Sequence, residues 1–292
     1  MFTGVYTALI TPFRNGQLDE AAFKRLVDLQ VKAGVDGIVP VGTTGESPTV
    51  DFEEHIRVIE LAVYYAHGRA KVMAGTGANS TSEAIHLTKS AEYAGADGSL
   101  QVCPYYNNPS QEGLYVHFST IAKSTNLPIC LYSIPGRCSV EIDISTTLRL
   151  RGDCPNIVAI KEAGGTPDRV SQLRAALDKK FTVLSGDDSM TLPFLSVGAQ
   201  GVISVASNVI PHQLVKMVHS YLKGNVKVAQ RVHEIYYPLF KDLFIETNPV
   251  PIKAACAKLG LCREEYRLPL VKMKPDNRRK LHDTMKAVGI IK

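Results

Sequence analysis

The 292-residue chain has no C-x-x-C pair, no H-E-x-x-H and no apolar run near the ~20 residues that a membrane span needs. Each absence removes a class of function. Its six cysteines are Cys103, Cys130, Cys138, Cys154, Cys256 and Cys262, and without paired spacing they signal neither a zinc knuckle nor a dithiol redox motif. Several sit in apolar stretches, where a free thiol acts as a small core residue. The eight histidines show no metal-ligand spacing, so no metal is expected. The opening residues, Met1-Phe2-Thr3-Gly4, run directly into a strand pattern, without the charged stretch, apolar stretch and cleavage site of a secretory signal. These readings predict a reduced, cytoplasmic, soluble protein with no membrane partner. No segment is low in complexity, and charged residues make up 21% of the chain, which excludes disorder on a large scale. Charge of one sign is not concentrated either. The net charge is +5, with Lys and Arg interleaved with Asp and Glu. The densest basic cluster, Arg278-Arg279-Lys280, reads as the solvated face of a helix, so nucleic acid is not an expected partner.

What the chain does have is alternation. Short, mostly apolar runs fall at residues 5–10, 37–41, 71–75, 98–102, 128–133, 157–161, 182–185 and 201–205, as expected of parallel strands buried on both faces. Amphipathic runs lie between them, at residues 19–33, 52–66, 82–94, 112–124, 167–177 and 211–222, and Gly34, Gly95 and Gly198 close helical stretches. Eight strand runs alternating with helical ones predict a (β/α)8 barrel over residues 1–225. The rival open sheet usually carries G-x-G-x-x-G after its first strand, and none is there. From residue 226 the strand pattern stops. Helical periodicity continues through residues 226–244, 251–259 and 276–288, punctuated by Pro249, Pro251, Pro269 and Pro275, and predicts a helical appendage over residues 226–292 packed on the barrel.

In a barrel of this kind the chemistry lies at the C-terminal ends of the strands. The second strand is followed by Gly42-Thr43-Thr44-Gly45-Glu46-Ser47, and the fourth by Cys103-Pro104-Tyr105-Tyr106-Asn107-Asn108-Pro109. The fifth ends in Tyr132 before Pro135-Gly136-Arg137, the sixth in Lys161-Glu162, and the seventh leads to Gly186-Asp187-Asp188. Lys161 follows the apolar Ile157-Val158-Ala159-Ile160, so its amine is partly desolvated. Desolvation favours the neutral form, which can attack a ketone and form an imine. The competing reading pairs Lys161 with a rim carboxylate, Glu162 or Asp187. Thr43 and Thr44 form either a plain strand-to-helix turn or a carboxylate cradle. Arg137 is either a surface charge or a carboxylate clamp. Tyr132 is either a core residue or a proton carrier, and Tyr105-Tyr106 is either an interface plug or a catalytic pair. Asp187-Asp188 read as capping or loop hydrogen-bonding groups rather than as a cation site.

Taken in order, Gly42-Thr43-Thr44-Gly45-Glu46, Tyr132 to Arg137, Ile160-Lys161-Glu162, Leu184-Ser185-Gly186-Asp187-Asp188 and Gly201-Val202-Ile203-Ser204-Val205 resemble the dihydrodipicolinate synthase and N-acetylneuraminate lyase family of pyruvate-dependent aldolases. The resemblance runs from Gly4 to the C-terminus. Thr43 before Thr44, Tyr106 after Pro104-Tyr105, Arg137, and Asn248-Pro249-Val250-Pro251-Ile252-Lys253 resemble the synthase branch rather than the lyase branch. The resemblance implies a Schiff base of pyruvate on Lys161, condensation with L-aspartate 4-semialdehyde, and no separate cofactor. It implies Tyr132, Thr43 and Tyr106 as a proton relay, Tyr106 entering from a neighbouring subunit. Thr44 would hold the pyruvate carboxylate, Arg137 the carboxylate of the aldehyde substrate, and Gly186 and the Ile203 carbonyl would shape the pocket. It further implies a homo-oligomer, a dimer of dimers, and an L-lysine effector pocket at Pro48, Phe52, His55, Asn79, Glu83 and Tyr105. Pro48 and Phe52 depart from the Ala and His of feedback-inhibited bacterial members, which leaves the response to lysine open.

Overall fold

Eight short strands hydrogen-bond in chain order, and the eighth closes on the first. In the computed structural model, which describes residues 2–292, they are β1 (Gly4–Ala8), β2 (Gly37–Val39), β3 (Lys71–Gly75), β4 (Gly98–Val102), β5 (Ile129–Ser133), β6 (Ile157–Glu162), β7 (Thr182–Ser185) and β8 (Gly201–Ser204). All pairs are parallel, with Gly4 against Gly201 at the closure and Tyr132 against Lys161 between β5 and β6. Parallel strands need crossovers, and helices supply them: α1 (Glu20–Ala33), α2 (Phe52–Ala66), α3 (Thr81–Tyr93), α4 (Gln111–Lys123), α5 (Ile144–Asp153), α6 (Pro167–Ala176), α7 (Thr191–Ser196) and α8 (Pro211–Leu222). The (β/α)8 expectation holds, with strand ends displaced by no more than two residues.

Local chemistry sets the helix starts. Asp19 accepts from the Ala22 amide at 2.9 Å, and Asp51 from the Glu54 amide at 2.9 Å, each satisfying a donor that the first turn leaves free. Pro167 and Pro211 sit at first-turn positions, where a missing amide costs nothing. Two helices, α5 and α7, and a hairpin pairing Phe13–Arg14 with Gln17–Leu18 lie outside the sequence-predicted elements.

The outward faces of β1, β2 and β8 pack on α1, α2 and α8 through residues such as Val5, Ile38, Phe23, Leu26 and Leu214. Each fully buried side chain of this size contributes about 1.5–3 kcal/mol. The barrel interior is a separate apolar layer that includes Phe2, Tyr6, Met73, Leu100, Ala159 and Leu184. Phe2 and Tyr6 meet edge to face, with ring centroids 5.8 Å apart. Glycine makes room for these rings. A Cβ on Gly37 would lie 2.2 Å from the Tyr6 ring, and one on Gly98 2.3 Å from Phe2. The lower interior is therefore filled by a largely apolar layer.

Three further helices follow: α9 (Val226–Asp242), α10 (Val250–Lys258) and α11 (Pro275–Ala287). Their Ala229, Leu239, Ile252 and Leu281 join the same apolar cluster as the barrel's outer face. Among the described residues no helix is long and apolar enough to cross a membrane.

Candidate active site

Period-two alternation along the strands decides which side chains enter the barrel. On β6, Ala159 joins the interior layer and Ile160 the outer one, so Lys161 faces inward and Glu162 outward. On β5, Leu131 packs outward and Tyr132 inward; on β8, Val202 packs outward and Ile203 inward. Lys161, Tyr132 and Ile203 thereby meet in a cavity of about 200 Å³ at the strand ends, with Thr43, Thr44 and Arg137 also in its wall. Pockets for drug-sized ligands run to roughly 300–1,000 Å³, so this one suits a small molecule.

The Lys161 amine is buried and lies 3.9 Å from the centroid of the Tyr132 ring. Burial pushes its pKa down to about 8, and the Arg137 guanidinium lowers it further, while Cys130 and Asp188 oppose the shift. Roughly a tenth of the amine is then neutral at pH 7, against less than a thousandth for an exposed lysine. The carboxylates that competed for it in the sequence are engaged elsewhere. Glu162 accepts from Arg169 Nε at 2.8 Å, and Asp187 accepts from the Ser189 amide at 2.7 Å and its hydroxyl at 2.8 Å. Asp188 is buried and accepts from the Val205 and Ala206 amides at 3.0 and 2.9 Å. Burial pushes its carboxyl up to about 6, with Ser204 and the two amides acting against the rise.

Thr43 opens a single 3-10 turn in which the Gly45 amide donates to the Gly42 carbonyl at 2.9 Å. Burial raises the Tyr132 phenol well above its ordinary value, while Arg137 and a hydrogen bond with Thr43 temper the rise. Thr44 accepts at its hydroxyl from Asn248 Nδ2 at 3.0 Å. Arg137 stands in the turn Pro135–Cys138 and donates from Nη2 to the Asn248 carbonyl at 3.0 Å. A hydroxyl pair, a phenol, a guanidinium and a part-neutral amine thus converge on one small space. Such a set can hold a carboxylate, attack a ketone carbon and pass protons in both directions.

Two of the sequence-selected residues stand outside that wall. Gly186 lies behind Lys161, where a Cβ would sit 3.1 Å from Lys161 Cε and 2.7 Å from Ala163 Cβ, so its bareness is what lets the lysine stem lie flat. Tyr106 is 97% exposed, with φ of 76°, and does not line this chain's own cavity. Asn248, Asp188 and Cys138 bear on the cavity without having been singled out. Only the Asn248-Pro249 motif and the Asp187-Asp188 pair gave a signal.

A second cavity of about 360 Å³ adjoins the first, and Ser47, Pro48, Gly77 and Tyr105 line both. Phe52, His55 and Glu83 line the second cavity alone, together with Val50 and Leu87. Asn79 is not part of that wall; its amide donates to the Tyr105 carbonyl at 3.1 Å.

The model of the dihydrodipicolinate synthetase family matches residues 1–288. The chain belongs to that family. A 4-hydroxy-tetrahydrodipicolinate synthase of Aquifex aeolicus is 51% identical over 290 residues, covering 99% of each chain. Among solved structures of the family, the 4-hydroxy-tetrahydrodipicolinate synthase of Methylacidiphilum fumariolicum SolV is 56% identical and superposes with a TM-score of 0.98 over 99% of this chain and 96% of that one. A dihydrodipicolinate synthase from Cyanidioschyzon merolae, solved with lysine bound, is 40% identical with a TM-score of 0.97 over 99% of each chain.

Proposed function

We propose that this protein condenses pyruvate with L-aspartate 4-semialdehyde through an imine on Lys161, giving 4-hydroxy-tetrahydrodipicolinate. That is the first committed step of lysine and diaminopimelate biosynthesis. The observation that carries the reading is a buried, part-neutral lysine amine, with Glu162 and Asp187 bonded elsewhere, in a chain that matches synthases of this name over its whole length.

The steps follow from the groups at hand. The Lys161 amine attacks the keto carbon of pyruvate, and water leaves to give the iminium. The iminium draws electrons, so the methyl group loses a proton and becomes an enamine carbon. That carbon bonds to the aldehyde carbon, and the aldehyde oxygen takes up a proton. The substrate's own amine then attacks the imine carbon, closes the ring and expels the Lys161 amine. Tyr132, Thr43 and the partner chain's copy of Tyr106 form the proton relay, since each hydroxyl both donates and accepts. Thr44 and neighbouring amides hold the pyruvate carboxylate, and Arg137 holds that of the aldehyde. Gly186 and the Ile203 carbonyl shape the space around the adduct. No separate cofactor is needed, because the iminium is the electron sink.

A relay through Tyr106 calls for a homo-oligomer, and a dimer of dimers fits the family. The near-complete exposure of Tyr106 on the isolated chain and its left-handed backbone support a role outside its own cavity. L-Lysine is the proposed effector in the second cavity, with the Glu83 carboxylate for its ammonium and Tyr105 for its carboxylate. The lysine-bound relative and the shared wall of the two cavities support this. Pro48, Phe52 and His55 line that proposed site, and Asn79 bears on it through its hydrogen bond to the Tyr105 carbonyl. Six free, buried cysteines support a reducing, cytoplasmic setting.

The test is a pyruvate-consumption assay with two aldehydes offered separately. Pyruvate loss with aspartate semialdehyde and none with N-acetylmannosamine is expected; the reverse transfers the chain to the lyase branch. In the same assay Arg137→Ala raises the KM for the semialdehyde by about ten- to a hundredfold, the loss of one charge-assisted carboxylate contact. An equal loss in pyruvate binding would refute the clamp.

A further inference from the structure

The segment from Asn248 to Arg267 grips the turn after β2 at three points. Asn248 donates to the Thr44 hydroxyl at 3.0 Å, and Lys253 pairs with Glu46. Arg267 donates from its backbone amide to Glu46 Oε2 at 3.2 Å and from its guanidinium to the Thr49 carbonyl at 2.9 Å.

The middle grip is the unusual one. Both side chains of the Glu46–Lys253 pair have 0% exposure. The Lys253 ammonium lies 4.2 Å from the Phe13 ring centroid and 5.5 Å from that of Tyr266, so aromatic faces close over it. Glu46 holds a left-handed backbone, φ 57°, which a non-glycine residue keeps only where its surroundings enforce it. Its amide donates to the Thr43 carbonyl at 3.1 Å, so the carboxylate and the 3-10 turn of Thr43–Gly45 move as one.

A fully buried ion pair is a poor source of stability, because an apolar pair of similar volume often does as well. What it supplies is fixed geometry. Neither charge can swing away without being stranded in an apolar medium. The neutral hydrogen bond from Asn248 to Thr44 sets no such constraint, and the Asn248 Oδ1 acceptor has no partner.

We propose that Glu46 and Lys253 are positioning residues whose ion pair fixes the turn that presents Thr43 and Thr44 to Lys161, and so sets the affinity for the keto-acid carboxylate. This rests on the reading of the first cavity as the pyruvate site. Arg137 is held by a different contact, the Asn248 carbonyl, so recognition of the second substrate is separable.

The test compares Lys253→Met, Glu46→Gln and the double variant, which removes both charges at similar volume. Thermal melting, both KM values and kcat are measured on each, with borohydride trapping of pyruvate on the wild type. The expected result is a rise of about tenfold or more in the pyruvate KM of every folded variant, with the semialdehyde KM within about twofold of wild type. The double variant melts closer to wild type than Lys253→Met yet keeps the raised pyruvate KM, which separates position from stability. A folded variant with a wild-type pyruvate KM would overturn the proposal. So would recovery of that KM in step with melting, or failure of all three variants to fold, since the pair would then serve stability alone. Absence of a trapped adduct in the wild type would instead remove the cavity reading and this proposal with it.

Discussion

Lys161→Ala lowers turnover by about three orders of magnitude while the protein stays folded. The amine is the proposed electrophile-former, and among the described residues no other lysine lines the cavity. The loss is therefore in kcat and cannot be recovered by more pyruvate. Lys161→Arg fails as badly, because a guanidinium stays protonated and cannot form an imine. Melting temperature is the control. Asp188 and Cys130 offset only part of the cost of burying the amine, so its removal leaves stability unchanged or raises it slightly. A large drop in melting temperature alongside the lost activity would mean that Lys161 supports the fold and that the kinetic loss says nothing of its chemistry. The pH dependence has a definite sign. Only the neutral amine attacks, and burial has pushed its pKa down to about 8. The rate of pyruvate attachment then climbs with pH below 8 and levels above it, instead of climbing on toward the ordinary lysine value.

Tyr132→Phe lowers kcat by about a hundredfold, the usual worth of one positioned proton carrier, and still permits pyruvate to be trapped. Its ring lies directly under the Lys161 amine, and phenylalanine preserves that packing. Only the hydroxyl that meets Thr43 is removed. Burial holds the phenol protonated at all working pH values, so it enters the cycle as a donor and must be returned to that state each turn. A Thr43→Val variant interrupts the same route and gives a similar loss, and the double variant loses little more than either alone. Losses that multiply would place the two hydroxyls on separate routes.

The barrel was legible because all eight strands are buried on both faces and read as short apolar runs. The elements that were not legible fail for local reasons. α5 spans Ile-Ser-Thr-Thr-Leu-Arg-Leu-Arg-Gly-Asp, too polar and β-branched for an apolar stripe to stand out, and its Leu148 is exposed. α7 is six residues long with Pro193 inside it. The hairpin had its signal in Asn15-Gly16, both at positive φ, but strands of two residues carry no periodicity. Within the site, Lys161 and Tyr132 could be placed because alternation fixes their direction. Asn248 could not. Its bond to Thr44 joins residues 204 positions apart, and no local pattern encodes a contact of that range. Glu46 and Lys253 were visible as residues and invisible as a pair for the same reason, with 207 positions between them.

The most direct test of the account maps the covalent intermediate. Wild-type protein is incubated with pyruvate, reduced with borohydride, digested and analysed by peptide mass spectrometry. One pyruvate-derived adduct per chain is expected, on the peptide containing Lys161 and on that lysine. An adduct on another lysine, or none in a protein that still consumes pyruvate with the semialdehyde, would contradict it.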